Sequence, residues 1–211
     1  RRRRLRGDLM IPEYMMTREE RYHYQMEMEE RELTFLQEFS KGKGYDFAEQ
    51  SPSKYHGVSR FNVDNGEYAE SSTNFSNEFG KKLCELAEEN DKICAITAAM
   101  SLGTGLKEFS EKYNNRFYDV GIAEEHAVCM AAGMALAGKK VFVSMYSTFA
   151  QRAFDQMLND VARNNLSVKF LFDRAGVVGP DGPTHQGIYD LAMLNMMPNM
   201  TICMPKDAAE A

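Results

Sequence analysis

Long apolar runs are missing from this 211-residue chain. None approaches the roughly 20 residues that a membrane-spanning helix needs, and the charged amino-terminal end has no apolar core of the signal-peptide kind. Cysteine is scarce. The four present, Cys84, Cys94, Cys129 and Cys203, form no CxxC pair, and each lies in an apolar stretch. Reduced, buried thiols in a cytoplasmic protein are therefore expected, rather than disulfides or metal ligands. An excess of positive charge is also lacking. The formal net charge is -6, so the chain as a whole has no nucleic-acid footprint. The run Arg1–Arg4 with Arg6 reads as a solvated end or a cut linker. Internal repeats are absent too. What is there, 44% hydrophobic and 27% charged residues, fits a soluble globular protein. The 15 methionines serve as flexible core filler.

Three stretches differ in texture. Residues 1–40 form a polar arm with one expected helix, where Thr17 and Glu20 make a capping box and Tyr22, Met26, Leu33 and Leu36 recur at near-helical spacing. Residues 41–74 carry Gly42, Gly44, Pro52, Gly57 and Gly66 among polar residues and read as a linker. From residue 75 strands and helices alternate. Helices are expected at Phe75–Leu86, Lys107–Tyr113 and Glu124–Ala137, and around Phe149–Val161. Strands are expected at Ile93–Thr97, Phe117–Val120, Val141–Met145 and Val168–Phe172, with a fifth at Met200–Met204. The pattern implies an α/β domain, a mostly parallel sheet with helices on both faces. Asp207–Glu210 looks like the start of a further helix, so the domain is expected to be truncated at its carboxyl end.

Ligands in such sheets bind beyond the carboxyl ends of the strands. In Tyr118-Asp119-Val120-Gly121-Ile122-Ala123-Glu124-Glu125-His126, a strand turns tightly into a helix. Glu124 falls at the helix start, where the macrodipole favours its negative form; an ordinary acidic first turn looks the same. In Tyr146-Ser147-Thr148-Phe149-Ala150-Gln151-Arg152, Phe149 and Arg152 share a helix face. They can stack a ring and hold an anion, or be a core Phe with a surface Arg. Asp173-Arg174-Ala175-Gly176 then opens into Gly179-Pro180-Asp181-Gly182-Pro183-Thr184-His185-Gln186-Gly187, a glycine-rich loop holding one histidine. A structural role for that histidine stays open beside a functional one. Their convergence on one sheet edge is stronger than any cluster alone.

These segments resemble the pyrimidine-binding domain of the 1-deoxy-D-xylulose-5-phosphate synthase family, within the wider transketolase group. Lys41-Gly42-Lys43-Gly44-Tyr45 and Tyr55-His56-Gly57-Val58 extend the resemblance into the linker. It implies a thiamine-diphosphate enzyme that moves a two-carbon unit from pyruvate, with loss of CO2, to glyceraldehyde 3-phosphate, for isoprenoid and thiamine biosynthesis. It implies that Glu124 hydrogen-bonds the aminopyrimidine N1′ and favours the imino tautomer, which requires a buried acid. Phe149 then stacks on that ring, and Tyr45 and Ile122 contact the cofactor. Arg152 and Arg174 hold the substrate phosphate. Tyr146, Asp181, His185 and His56 line the substrate pocket, with His185 a proton-transfer candidate. The family's homodimer is a further implication.

The resemblance also has gaps. The Gly-Asp-Gly motif of the family's diphosphate- and Mg2+-binding domain has no match; Arg6-Gly7-Asp8-Leu9 does not fit it. Glu125 stands where the family has glutamine. The chain alone is therefore expected to be inactive. Alternatives are the pyrimidine-binding subunit of a split transketolase or dehydrogenase E1, with a second chain supplying the diphosphate domain, and a non-catalytic interaction protein that keeps the fold.

Overall fold

The structure, a computed structural model, describes residues 42–52, 55, 61–67, 74–179, 182–207 and 209–210. The expected helix of residues 17–36 lies outside them. The chain divides into two units, Arg1–Glu70 and Ser71–Ala211.

In the first unit the expected linker contains a short helix, α1 (Asp46–Gln50), which the glycine-rich texture hid. Tyr45 precedes it and donates its hydroxyl to the Val63 carbonyl at 2.9 Å. Phe47, Tyr55 and Phe61 surround its ring at 5.5 to 5.7 Å. This small aromatic cluster gives α1 something to pack against.

The second unit opens with α2 (Phe75–Glu89). The Asn74 side chain accepts the Asn77 N–H at 2.8 Å, meeting one of the unpaired donors of the first turn. Gly80, Leu83, Cys84 and Ala87 are its buried stripe, at helical spacing. A methyl at Gly80 would sit 2.0 Å from the Gly105 carbonyl oxygen, so glycine lets α2 close onto the loop after the first strand.

The strands are β1 (Ile93–Thr97), β2 (Phe117–Asp119), β3 (Lys140–Tyr146) and β4 (Val168–Asp173). They form one sheet in the order β2-β1-β3-β4, with every pairing parallel. The connecting helices are α3 (Lys107–Lys112), α4 (Glu124–Leu136) and α5. Here α5 denotes consecutive pieces: α-helical Ser147–Ala150, a 3-10 turn Gln151–Ala153, α-helical Phe154–Gln156 and π-helical Met157–Ala162. Strand side chains alternate between faces. Ile93 and Ala95 pack with Leu83, Leu106 and Phe109 from the side of α2 and α3. Ile96, Val141, Val143 and Met145 pack with Val128, Ala131 and Met157 from α4 and α5. Helices therefore cover both faces, as the alternating pattern implied. From β1 the chain moves outward to β2, then crosses back to β3 and outward to β4. The winding direction reverses between β1 and β3, and a crevice forms at such a switch point.

Some expectations need correction. Met200–Met204 is not a strand. Its composition suits one, but a strand needs a ladder partner. None of the described strands pairs with it, and Ile202 and Met204 remain exposed. Near the expected helix start at residue 207, the Asp207 carboxylate accepts the N–H groups of Ala209 and Glu210. A helix not expected from the sequence, α6 (Asp190–Asn195), follows the glycine-rich loop and buries Met193 and Leu194. All four cysteines are free, but only Cys84 and Cys94 are buried. Cys129, exposed on α4, donates its thiol to the Asp160 carboxylate of α5 at 3.2 Å, and Cys203 is exposed in the irregular segment beyond α6; an apolar neighbourhood in sequence did not ensure burial of either. Among the described residues no helix is long and apolar enough to cross a membrane.

Candidate active site

The turn between β2 and α4 is built by a carboxylate. Asp119 accepts the N–H of Ala99 at 2.7 Å and of Gly121 at 3.0 Å, tying the carboxyl ends of β1 and β2 together. Gly121, at a φ of 70°, supplies the left-handed residue that reverses the chain. Glu124 then begins α4 with its side chain only 2% exposed, whereas Glu125 and His126 are exposed. A buried carboxylate needs a partner. Arg152, reaching from α5, donates one guanidinium nitrogen to both Glu124 oxygens, at 3.0 and 3.2 Å. The Arg152 side chain keeps about half of its surface in solvent, 48%. An ionised carboxylate offers about four lone-pair positions, so one nitrogen leaves Glu124 with acceptor capacity beyond this pair.

Aromatic rings and arginines continue from that pair along the edge of the sheet. The Arg152 guanidinium lies 5.2 Å from the Phe149 ring centre. Phe149 stacks on Tyr146 at 6.0 Å and 20° between planes. Arg174 lies over the other member of this aromatic pair, 3.8 Å from the centre of the Tyr146 ring. His185 meets Phe149 edge-on at 5.4 Å, and its Nδ1 is 2.7 Å from the Thr184 hydroxyl. Cation–aromatic contacts of this kind hold guanidinium groups in place without neutralising them.

The ends of β4 and α5 are pinned from behind. Asp173 accepts the Ser76 hydroxyl from α2. Burial pushes its carboxyl above the ordinary range, against smaller opposing effects of Ser76 and Arg174. Arg174 follows at a φ of 55°, unusual for a non-glycine residue. Gly176 and Gly187 form an isolated antiparallel bridge that closes the loop. Inside it the Gln186 amide accepts the Val178 N–H at 2.6 Å and donates to the Val178 carbonyl at 2.9 Å. Ser147 donates to Asp190 at 2.6 Å and so ties the start of α5 to that of α6.

The fold thus brings together Glu124, Tyr146, Phe149, Arg152, Arg174 and His185 from segments far apart in sequence. Ile122 stands beside them in the turn, 79% exposed. Tyr45 belongs to the first unit. His56 and Asp181 lie outside the described residues. Sequence reasoning missed the supports Ser76, Ser147 and Asp190. Only Asp190 had a legible signal, an acid opening a run whose Met193, Leu194 and Met197 follow helical spacing.

Residues 71–211 match the family described as transketolase, pyrimidine binding domain. The chain belongs to that family. Among curated proteins, this domain is similar to the 1-deoxy-D-xylulose-5-phosphate synthases of Clostridium perfringens and Clostridium beijerinckii. It is 56% identical to the first and 60% to the second over 167 residues, 79% of this chain and 27% of either protein. The chain therefore spans about a quarter of the length of these relatives (27%). Among solved structures, a split gene transketolase described as an inactive beta4 tetramer is 37% identical with a TM-score of 0.57, covering 64% of this chain and 44% of that one. A transketolase from Campylobacter jejuni, 19% identical with a TM-score of 0.55, covers 82% of this chain and 27% of that one and shares the fold. The matched residues include all four strands and the Glu124, Phe149, Arg152 and Arg174 clusters.

Proposed function

We propose that this chain holds the aminopyrimidine end of thiamine diphosphate in an enzyme that makes 1-deoxy-D-xylulose 5-phosphate from pyruvate and glyceraldehyde 3-phosphate. One observation carries the reading: a carboxylate at a helix start, 2% exposed, paired with Arg152, whose guanidinium lies over Phe149. When bound, the cofactor supplies the electron sink for decarboxylation and two-carbon transfer. The chain's own residues do the rest. Glu124 accepts a hydrogen bond from the pyrimidine N1′ with the acceptor capacity that Arg152 leaves. Its burial strengthens that bond by excluding water. Phe149 offers the pyrimidine a ring face. Arg152 and Arg174 are cations at the same edge, suited to the substrate phosphate through the guanidinium fork. His185 stands at the rim, where it can hold or move a proton of the substrate. Tyr146 and Asp181 are assigned to the substrate with His56, and Ile122 and Tyr45 to the cofactor, on the family resemblance. The 56–60% identity to named synthases over most of the chain supports the substrate assignment.

Mg2+ and the diphosphate are assigned to a second domain, which leaves room in relatives of which this chain covers 27%. The proposed setting is cytoplasmic and dimeric, and the chain alone is inactive. A separate partner chain carrying the diphosphate domain is a second reading, favoured by the split gene transketolase. The test is a chimera in which this chain replaces the matching span of the Clostridium perfringens relative. Turnover of pyruvate with glyceraldehyde 3-phosphate is expected, and Glu124→Gln should lower kcat by about 100-fold or more. Turnover indifferent to Glu124 would overturn the reading in favour of a non-catalytic fold. Activity on simply mixing this chain with a separate diphosphate domain would favour the split arrangement.

A further inference from the structure

Gly103 lies in the loop after β1, at the switch point, with no role yet in the site. Its backbone is not left-handed, unlike that of Gly105 at a φ of 71°, so the turn itself does not call for glycine here. Space does. A Cβ on residue 103 would sit 1.7 Å from the Tyr146 hydroxyl oxygen, 2.7 Å from Cζ and 3.0 Å from Cε1. The same residue also touches the arginine on that ring, because Arg174 Nη1 donates to the Gly103 carbonyl at 3.4 Å. We propose that Gly103 is a positioning residue for the phosphate end of the site: the room it leaves sets the Tyr146 ring, and the ring with the Gly103 carbonyl sets the Arg174 guanidinium. The inference rests on the function proposed above and deepens it. Side-chain volume at position 103 governs preference for a phosphorylated over an unphosphorylated aldehyde.

The loop cannot yield to an added methyl as easily as the ring can. The Thr104 N–H and hydroxyl both donate to the Met100 carbonyl, at 3.0 and 2.8 Å, and the Leu106 N–H donates to Ser101 at 2.9 Å. Thr104 and Leu106 are buried. The Tyr146 N–H is held 3.4 Å from the Met100 sulfur, which fixes the backbone at the foot of the ring. The atom met first is the far end of a side chain, the Tyr146 phenol, and not backbone. An added methyl therefore tilts the ring and moves Arg174 while the fold persists. Gly105 is the contrast: a Cβ there would lie 2.0 Å from the Ser76 carbonyl oxygen, where only backbone could give way.

The experiment uses Gly103→Ala in the active chimera. KM for glyceraldehyde 3-phosphate should rise about tenfold, the scale of a displaced cation–aromatic contact. Parameters for unphosphorylated glyceraldehyde, and thiamine diphosphate affinity, should stay within about twofold. A parallel loss for both aldehydes, or no change for either, overturns the inference while leaving the function standing. A chimera inactive before substitution defeats the function instead. An independent readout then remains in this chain: the upfield ring-current shift of the Arg174 side-chain N–H signals by Tyr146 should be present and should shrink in Gly103→Ala. An unchanged shift refutes the positioning role. If Gly103→Ala does not fold, Gly103→Ala with Tyr146→Leu removes the ring that the methyl meets and must fold; if it does not, the proposal fails.

Discussion

The two faces of the sheet are built differently. On one side α2 is an uninterrupted helix of 15 residues with a side-chain cap and a buried stripe. On the other, α5 passes from α to 3-10 to α to π steps within Ser147–Ala162. The regular helix holds the fold and contributes to the site only through Ser76. The interrupted one supplies Phe149 and Arg152. Departures from the α-helical ladder often mark functional segments, because they re-aim side chains that an ideal helix would direct elsewhere.

Substitutions can break or sharpen this contrast. The largest stability effect is expected on the regular side. Phe109→Ala removes a fully buried ring and should cost about 3–5 kcal/mol by urea unfolding. A loss below about 1 kcal/mol would show that this face is not the mechanical one. On the other side Arg152→Ala strands the Glu124 carboxylate in a buried position. Because Arg152 is 48% exposed, the expected cost is smaller, about 1–3 kcal/mol. Arg152→Ala should also weaken binding of a phosphorylated substrate to the chimera, which Phe109→Ala in a still-folded sample should not. Equal binding defects in the two variants would erase the distinction. Asn74→Ala removes the cap of α2 and should cost about 1 kcal/mol, seen as a lower Tm. Unchanged melting would mean that tertiary packing alone sets the start of that helix.

The smallest effect is a pH slope. Burial raises the Asp173 carboxyl above its ordinary value of 3.8. Its folded state therefore holds the proton more tightly than the unfolded chain does, and stability is lost as pH rises from that value through the folded one. Asp173→Asn keeps an oxygen for Ser76 and has no such proton. The variant should gain on the wild type as pH climbs from about 4 to 7. A stability difference flat across that range, or sloping the other way, would contradict the assigned burial effect.

Most of the framework was legible from local pattern. β1 and α2 came out close to their expected bounds because short buried runs and helical spacing are properties of neighbouring residues. α6 was hidden by the glycine-rich loop before it, and the expected strand at Met200–Met204 failed because pairing is decided by a partner, not by composition. The candidate site shows the same division. Glu124, Phe149, Arg152, Arg174 and His185 stood out by residue type at strand ends, but that Arg152 pairs with Glu124 was not readable 28 residues away in sequence. Nor was the need for glycine at position 103, since the atom it must avoid belongs to Tyr146 on another strand.

By itself the amino-acid sequence determined the alternation of strands and helices, and with it a parallel sheet whose carboxyl edge gathers the polar clusters. Hydrophobic periodicity and chain chirality act locally and leave little choice at that level. Tertiary structure alone decided which charges are buried, which arginine meets which carboxylate, and where a missing methyl makes room for a ring. Those outcomes depend on distances between segments that only packing brings together.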